Sequence, residues 1–92
     1  MAKIQVKLMG KARELSSAAT MEADVSTATP REIINEIARA NPLLTDSLVR
    51  GNGDPRASTK ILINGRSPRS LDDSIDPSAD VVVIGVLEHC DG

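Results

Sequence analysis

The chain of 92 residues is long enough for one domain and no more, and its 40% apolar and 26% charged residues are ordinary values for a globular protein. It has no Phe, Tyr or Trp, which excludes aromatic platforms that stack the bases of single-stranded nucleic acid and aromatic cages that hold methylated amines. The net charge of −2, from 11 basic and 13 acidic residues, also argues against a nucleic-acid-binding protein, because such proteins are usually basic.

The first part of the chain predicts two strands that pair as an antiparallel hairpin. Polar and apolar residues alternate over residues 3–9, which is the pattern of a half-buried strand, and Gly10 ends it. Residues 11–17 are predicted to form a loop or turn in which Leu15 points inward. Alternation resumes over residues 21–25, and the short spacing to the first strand permits antiparallel pairing.

The clearest local signal is the start of a helix after residue 29. Thr29 is a suitable N-cap, Pro30 suits the first helical position, and Glu32 completes a capping box. The dipeptide Asn41-Pro42 ends the helix, because helical geometry is disfavoured for the residue before a proline. One face of this helix is expected to lie across a sheet. Its apolar residues are Ile33, Ile34, Ile37 and Ala38.

The middle of the chain predicts a short helical segment and a third strand. Residues 42–49 are expected to form a second helix or a helical turn. Its anchoring side chains are Leu43, Leu44 and Leu48. Residues 50–55 are rich in turn formers, residues 60–63 are predicted to form a strand, and Asn64-Gly65 suits a tight hairpin-type turn after that strand.

The last strand is predicted over residues 81–87, which are nearly all apolar and are interrupted by Gly85. Such a strand is covered on both faces or central in its sheet. Residues 67–79 before it are irregular, and two of them are expected to point inward, Leu71 and Ile75. Residues 88–92 are expected to form a flexible C-terminal tail.

This order of elements predicts an α+β fold. It is a small roll with a mixed β-sheet and one main helix packed across one face, and residues 1–92 form a single domain in it.

The residue types offer no convincing catalytic or metal site. His89 is the sole histidine and adjoins Cys90, the sole cysteine, but no third residue is placed to orient the pair. The adjacent acids Asp72-Asp73 are expected to face water, and residues 51–53 lack the spacing of a phosphate-binding loop. The chain is therefore predicted not to be an enzyme and to bind no metal or cofactor of its own.

The predicted location is the cytoplasm. A single cysteine cannot form an internal disulfide, which fits a reducing compartment. No apolar run reaches the roughly 18 residues of a membrane span, and the first residues alternate rather than form a signal peptide. Residues 71–92 hold six acidic residues and neither Lys nor Arg. These acids either keep the segment solvated or attract a basic partner.

The final residue, Gly92, is the most distinctive candidate for chemistry. Glycine has no Cβ, so the backbone of a partner or a nucleotide can approach its carboxylate closely. A carboxylate is a poor electrophile until it is adenylated, and a slim terminus can enter the narrow site where that reaction occurs. The alternative interpretation is that glycine occurs at this position by chance and has no function there.

Four short segments also occur along the chain in an informative order. They are Ala12-Arg13-Glu14-Leu15, Thr29-Pro30-Arg31-Glu32, Ile63-Asn64-Gly65 and Asp80-Val81-Val82-Val83-Ile84. Together they resemble the corresponding segments of the MoaD/ThiS group of ubiquitin-like sulfur carriers, whose fold is the β-grasp. The resemblance spans nearly all 92 residues and implies a β-grasp fold here.

The resemblance implies that Gly92 is adenylated by an E1-like enzyme that uses ATP, and is then converted to a thiocarboxylate. The carrier next docks on a sulfur-accepting synthase subunit that makes molybdopterin, thiazole or a related product. The sheet face away from the helix contacts these partners, and so does the tail. The tail residues are Leu87, Glu88, His89, Cys90 and Asp91. The free carrier is expected to be monomeric.

The chain departs from this family at Asp91, where family members carry the first glycine of a Gly-Gly terminus. Aspartate adds a Cβ and a negative charge beside the reacting carboxylate, and both should hinder activation. Three functions therefore remain open. The chain is a sulfur carrier, a ubiquitin-like modifier joined through Gly92 to lysine, or a β-grasp interaction module that has lost the covalent chemistry.

Overall fold

The computed structural model describes residues 2–16, 19–52, 54–76, 78 and 80–86. Within them the chain forms, in order, β1 (Ala2–Gly10), α1 (Lys11–Ser16), β2 (Thr20–Val25), α2 (Pro30–Ala40), α3 (Pro42–Leu48), β3 (Thr59–Ile63) and β4 (Val82–Val86). The predicted tail, residues 88–92, lies outside the described residues, and so does residue 87 of the predicted last strand.

The four strands form one mixed sheet in the order β2-β1-β4-β3. β1 pairs antiparallel with β2 and parallel with β4, and β4 pairs antiparallel with β3. The predicted α+β roll with a mixed sheet is confirmed. The last strand is central, as its apolar composition predicts, although it is buried on one face and not on both.

One face of the sheet is covered by the helices and the other is open. Alternate side chains of β1 are buried at Ile4, Val6 and Leu8, while the intervening side chains are exposed. The predicted apolar stripe of α2 is buried in the same cluster as the inward side chains of the strands. The core is therefore a single aliphatic layer between the helices and the sheet.

The start of α2 follows the predicted capping, with one difference. Thr29 is the N-cap, and its Oγ1 accepts a hydrogen bond from the Glu32 backbone N–H at 3.3 Å. The reciprocal half of the capping box is not formed, because the Thr29 N–H donates to the Thr27 carbonyl oxygen at 2.9 Å. The helix ends as predicted at Asn41, which also caps α3 through its side chain.

Replacing Thr29 by alanine is expected to lower the free energy of unfolding by about 1 kcal/mol, because the first turn of α2 loses its side-chain acceptor. Urea-induced unfolding measures the change. Thr29→Ser, which keeps the hydroxyl, is the matched control and should lose less than half as much. Equal losses for the two variants would contradict the capping role.

The prediction of a loop at residues 11–17 is wrong over α1. Five of the six residues of α1 are good helix formers, and the helix packs on β1, α3 and β4, with Ala12 fully buried. Leu15 packs against the core, as expected.

The prediction that Leu43 anchors α3 is also wrong, because its side chain is 68% exposed. Leu44 and Leu48 are one helical turn apart and share the buried face. Leu43 lies one position away from Leu44, about 100° around the helix, and so it points to solvent.

The irregular segment before β4 is held against α2. Leu71 and Ile75 pack on the core, as predicted. The Arg31 side chain binds Asp72 at 3.0 Å and Asp54 at 3.1 Å, so it links two loops to the start of the helix. The hydrogen bond to Asp72 raises the pKa of the Arg31 guanidinium above its ordinary value. Asp72 is largely exposed, as expected, but it is paired and not simply solvated.

Candidate functional site

The tail residues predicted to carry the chemistry, from Leu87 to Gly92, lie outside the described residues. The described part of the chain fixes the strand that leads to them. Val86, the last residue of β4, is paired with Gly10 of β1 on one side and with Thr59 of β3 on the other. The last described residue of β4 is therefore held in the centre of the sheet by two neighbouring strands.

The start of β4 is held by the turn after β3. Asn64 and Gly65 both have positive φ, 56° and 82°, as a tight two-residue hairpin turn requires. The Asn64 side chain accepts a hydrogen bond from the Val81 N–H and donates one to Asp80, each at 2.9 Å. The Asn64 N–H donates to the Val81 carbonyl oxygen at 2.8 Å. The predicted turn is confirmed, and it also sets where β4 begins.

An apolar groove of about 330 Å³ lies on the open face of the sheet near the end of β4. Its walls include Met9, Leu62, Val83 and Val86, with Gly85 in its floor. Met9 is 58% exposed. The strand register explains the grouping, because Val83 lies between Lys7 of β1 and Leu62 of β3. We call this feature the open-face groove.

Basic side chains border the open-face groove. Lys60 lines it, and Lys7 follows the same exposed alternation of β1 as Met9. The exposed acids of the sheet, Glu22 and Asp24, lie on β2, the edge strand farthest from β3. The open face is thus apolar and basic near the end of β4, and acidic at its other edge.

The described acids of the segment 71–92 are partly engaged within the chain. Asp72 binds Arg31, and Asp80 accepts from Asn64 and from the backbone N–H of Asp76. These contacts fix loops, so solvation and loop structure account for much of the acidic composition that the sequence shows.

A second groove, between α2 and α3, is more polar than the open-face groove. It is lined in part by Glu32, Glu36 and Arg39, and Arg39 binds Glu36 at 2.6 Å. Within the described ranges no group of three His, Cys, Asp or Glu side chains could hold a metal ion. Over the same ranges, no helix has the length and hydropathy needed to cross a membrane.

The open-face groove was not predicted from the sequence as a cluster of particular residues. Its signals were Met9 and Val83, two apolar side chains at positions where alternation favours polar ones, together with Gly85 in the last strand. Those signals become a groove only when the pairing of β1, β4 and β3 is known.

Comparison with solved structures shows the same fold in small carrier and modifier proteins. Small archaeal modifier protein 1 of Haloferax volcanii superimposes with a TM-score of 0.80 at 20% identity, covering 96% of this chain and 100% of that one. The Pyrococcus furiosus protein assigned as subunit 1 of molybdopterin converting factor gives 0.74 at 25% identity, covering 96% and 100%. The Amycolatopsis orientalis BexX/CysO complex gives 0.69 at 17% identity, covering 94% and 97%.

No protein-family model and no curated protein sequence matches the chain. The structural likenesses nevertheless confirm the β-grasp fold and the predicted resemblance to ubiquitin-like proteins of the MoaD/ThiS type. The similar structures are those of a small modifier protein, a converting-factor subunit and the BexX/CysO complex, in keeping with the resemblance that the sequence shows.

Proposed function

We propose that this protein is a sulfur carrier whose Gly92 carboxyl group is activated by an E1-like enzyme. A carboxylate oxygen of Gly92 attacks the α-phosphorus of ATP and releases pyrophosphate. A hydrosulfide ion then displaces AMP from the acyl adenylate, leaving a thiocarboxylate and a proton. A sulfur-accepting synthase subunit takes the sulfur from there. The ATP is bound by the activating enzyme, the carrier needs no cofactor, and the reactions take place in the cytoplasm.

The observation that supports this function best is the position of the last strand. β4 is central in the sheet, and its final residue, Val86, lines the open-face groove. An enzyme that seats on the groove is therefore adjacent to the residues that follow Val86. Six residues, 87–92, span at most about 20 Å when extended, so the carboxyl group of Gly92 is within reach of an active site beside the docking face.

The structural neighbours support the same function. One is assigned as a subunit of molybdopterin converting factor, and CysO is seen in a complex with BexX. By analogy, the partners of this chain are an activating enzyme and a synthase subunit that both contact the open-face groove and the residues Leu87 to Asp91.

The intact mass of protein purified from its native host tests the proposal. We expect a fraction of the protein to show the mass increase of one oxygen atom replaced by sulfur, located in the C-terminal peptide. The purified E1-like enzyme of the same organism should also catalyse ATP–pyrophosphate exchange that depends on this protein. Unmodified protein together with no exchange would contradict the proposal, and would leave a non-covalent interaction module as the explanation.

Conjugation to lysine is the second candidate function, and it is favoured by the likeness to small archaeal modifier protein 1. It begins with the same adenylate, but a lysine amine displaces AMP and forms an amide. A ladder of heavier conjugates that disappears when Gly92 is deleted would identify this function. A thiocarboxylate without such a ladder would identify the carrier.

Replacing Asp91 by glycine is expected to accelerate adenylation about five- to tenfold. The carboxylate of Asp91 adjoins the reacting group, and removing repulsion of about 1 kcal/mol from the ATP phosphates gives a change of that order. Initial rates of pyrophosphate exchange measure it. Asp91→Asn is the control that removes the charge and keeps the Cβ. An unchanged or slower rate for Asp91→Gly would show that Asp91 is accepted by the enzyme and does not hinder it.

A further inference from the structure

Gly85 occupies an unusual place in the sheet. It lies in the central strand β4, on the open face, directly between Met9 of β1 and Lys60 of β3. Because it has no side chain, the row formed by these three residues has a gap at its middle. The gap is the floor of the open-face groove.

The fold does not require glycine at this position. The φ angle of Gly85 lies outside the left-handed region, whereas those of Gly10 and Gly65 lie inside it. A Cβ built on Gly85 would lie 3.6 Å from the Met9 carbonyl oxygen and 3.9 Å from the Met9 Cβ, which are ordinary van der Waals distances. Glycine also weakens the interior of a strand, and it often marks a place where another molecule approaches closely.

The surroundings of Gly85 indicate what fills the gap. Leu62, Val83 and the half-exposed Met9 give it apolar walls, and Lys60 stands at its rim. Lys7 and Lys60 are exposed, and neither has an ion-pair partner among the described residues. We infer that Gly85 keeps a socket open for one apolar side chain of the activating enzyme, flanked on that enzyme by carboxylates that pair with Lys7 and Lys60.

The choice of the activating enzyme as the occupant rests on the proposed function. The socket adjoins Val86, so the protein that fills it also lies beside the first residues of the segment that would enter its active site. Seating an apolar side chain next to Gly85 would hold that segment in one register. Gly85 is thus a specificity residue for docking, and it takes no part in the chemistry at Gly92.

Steady-state pyrophosphate exchange with the purified E1-like enzyme of the same organism tests the socket. Gly85→Leu should fill it and raise the KM for the carrier about tenfold, with kcat changed less than about twofold, because the chemistry at Gly92 is untouched. Gly85→Ala should raise KM by a smaller factor, and it should raise Tm because alanine strengthens the strand. Gln5→Leu, which places the same side chain on the open face outside the socket, should leave KM unchanged.

The salt dependence of KM tests the two lysines beside the socket, Lys7 and Lys60. For the native carrier, KM should rise with salt, because attraction between Lys7, Lys60 and the carboxylates of the enzyme is screened. The double variant Lys7→Glu, Lys60→Glu should raise KM and reverse that dependence, because salt then screens repulsion between these glutamates and the carboxylates of the enzyme. Thermal unfolding verifies that each variant is folded. If Gly85→Leu does not fold, the test is made with Gly85→Ala.

The outcomes separate the two proposals. A native KM for folded Gly85→Leu, or for Gly85→Ala should the leucine variant fail to fold, would overturn the socket and leave the proposed function standing. An equal rise in KM for Gln5→Leu would also overturn the socket, because any leucine on that face would then disturb docking. No exchange with the native carrier would overturn the proposed function, and the socket with it.

Discussion

Replacing Ile37 by alanine is expected to lower the free energy of unfolding by about 2–5 kcal/mol. Ile37 is fully buried in the middle of the apolar stripe of α2, within the one aliphatic core of the described residues. Truncation removes buried apolar surface and leaves a cavity, because a close-packed core relaxes only in part. Urea-induced unfolding, followed by far-ultraviolet circular dichroism, measures the loss.

Leu43→Ala is the matched control for this experiment. It also truncates an aliphatic side chain on a helix, but Leu43 is 68% exposed, so the change should be within about 0.5 kcal/mol. A loss of less than about 0.5 kcal/mol for Ile37→Ala would mean that the buried face of α2 is misassigned. If Leu43→Ala lost as much stability as Ile37→Ala, the buried face of α3 would be misassigned.

Deleting Gly92 is expected to reduce pyrophosphate exchange by about a hundredfold or more. The deletion moves the terminal carboxylate back by one residue, about 3.5 Å, and a displacement of even 1 Å in an active site can cost about a hundredfold in rate. It also leaves a residue with a Cβ and a second carboxylate at the reacting position. Initial exchange rates at saturating ATP, with the purified activating enzyme, measure the loss.

Two variants separate the causes of this loss. Gly92→Ala keeps the length of the chain and adds one methyl group, so it should retain more exchange than the deletion. Leu43→Ala, on the helical side of the molecule, should leave exchange at the native rate. Native exchange by the shortened chain would show that another group is activated, and would contradict the assignment of Gly92.

Most of the fold could be predicted from local signals because those signals agree with the tertiary structure. Thr29 and Pro30 start α2, alternation places β1 and β2, and Asn64-Gly65 forms the predicted turn. The predictions were wrong where tertiary contacts, and not local sequence, determine the structure. α1 is six residues long, too short to be stable alone, and it forms because Ala12 packs between neighbouring elements.

For the candidate site, the sequence and the resemblance predict particular residues at the chemical end but only a face of the sheet at the docking end. Gly92 and the residues before it follow from the sequence and from the family resemblance. The open-face groove depends on register, because Met9 and Leu62 are more than 50 positions apart and meet on either side of β4. Alternation alone assigns these residues to an exposed face and does not show that they are neighbours.

The parallel pairing of β1 with β4 has a consequence for synthesis of the protein. β1 is the first strand to be translated and β4 is the last of the four, yet they are partners at the centre of the sheet. A nascent chain therefore exposes the unpaired edge of β1 until β4 has also left the ribosome, and pairings so distant along a chain form slowly. A translation product that ends before Val82 lacks β4, and it therefore leaves the edges of both β1 and β3 that pair with β4 exposed.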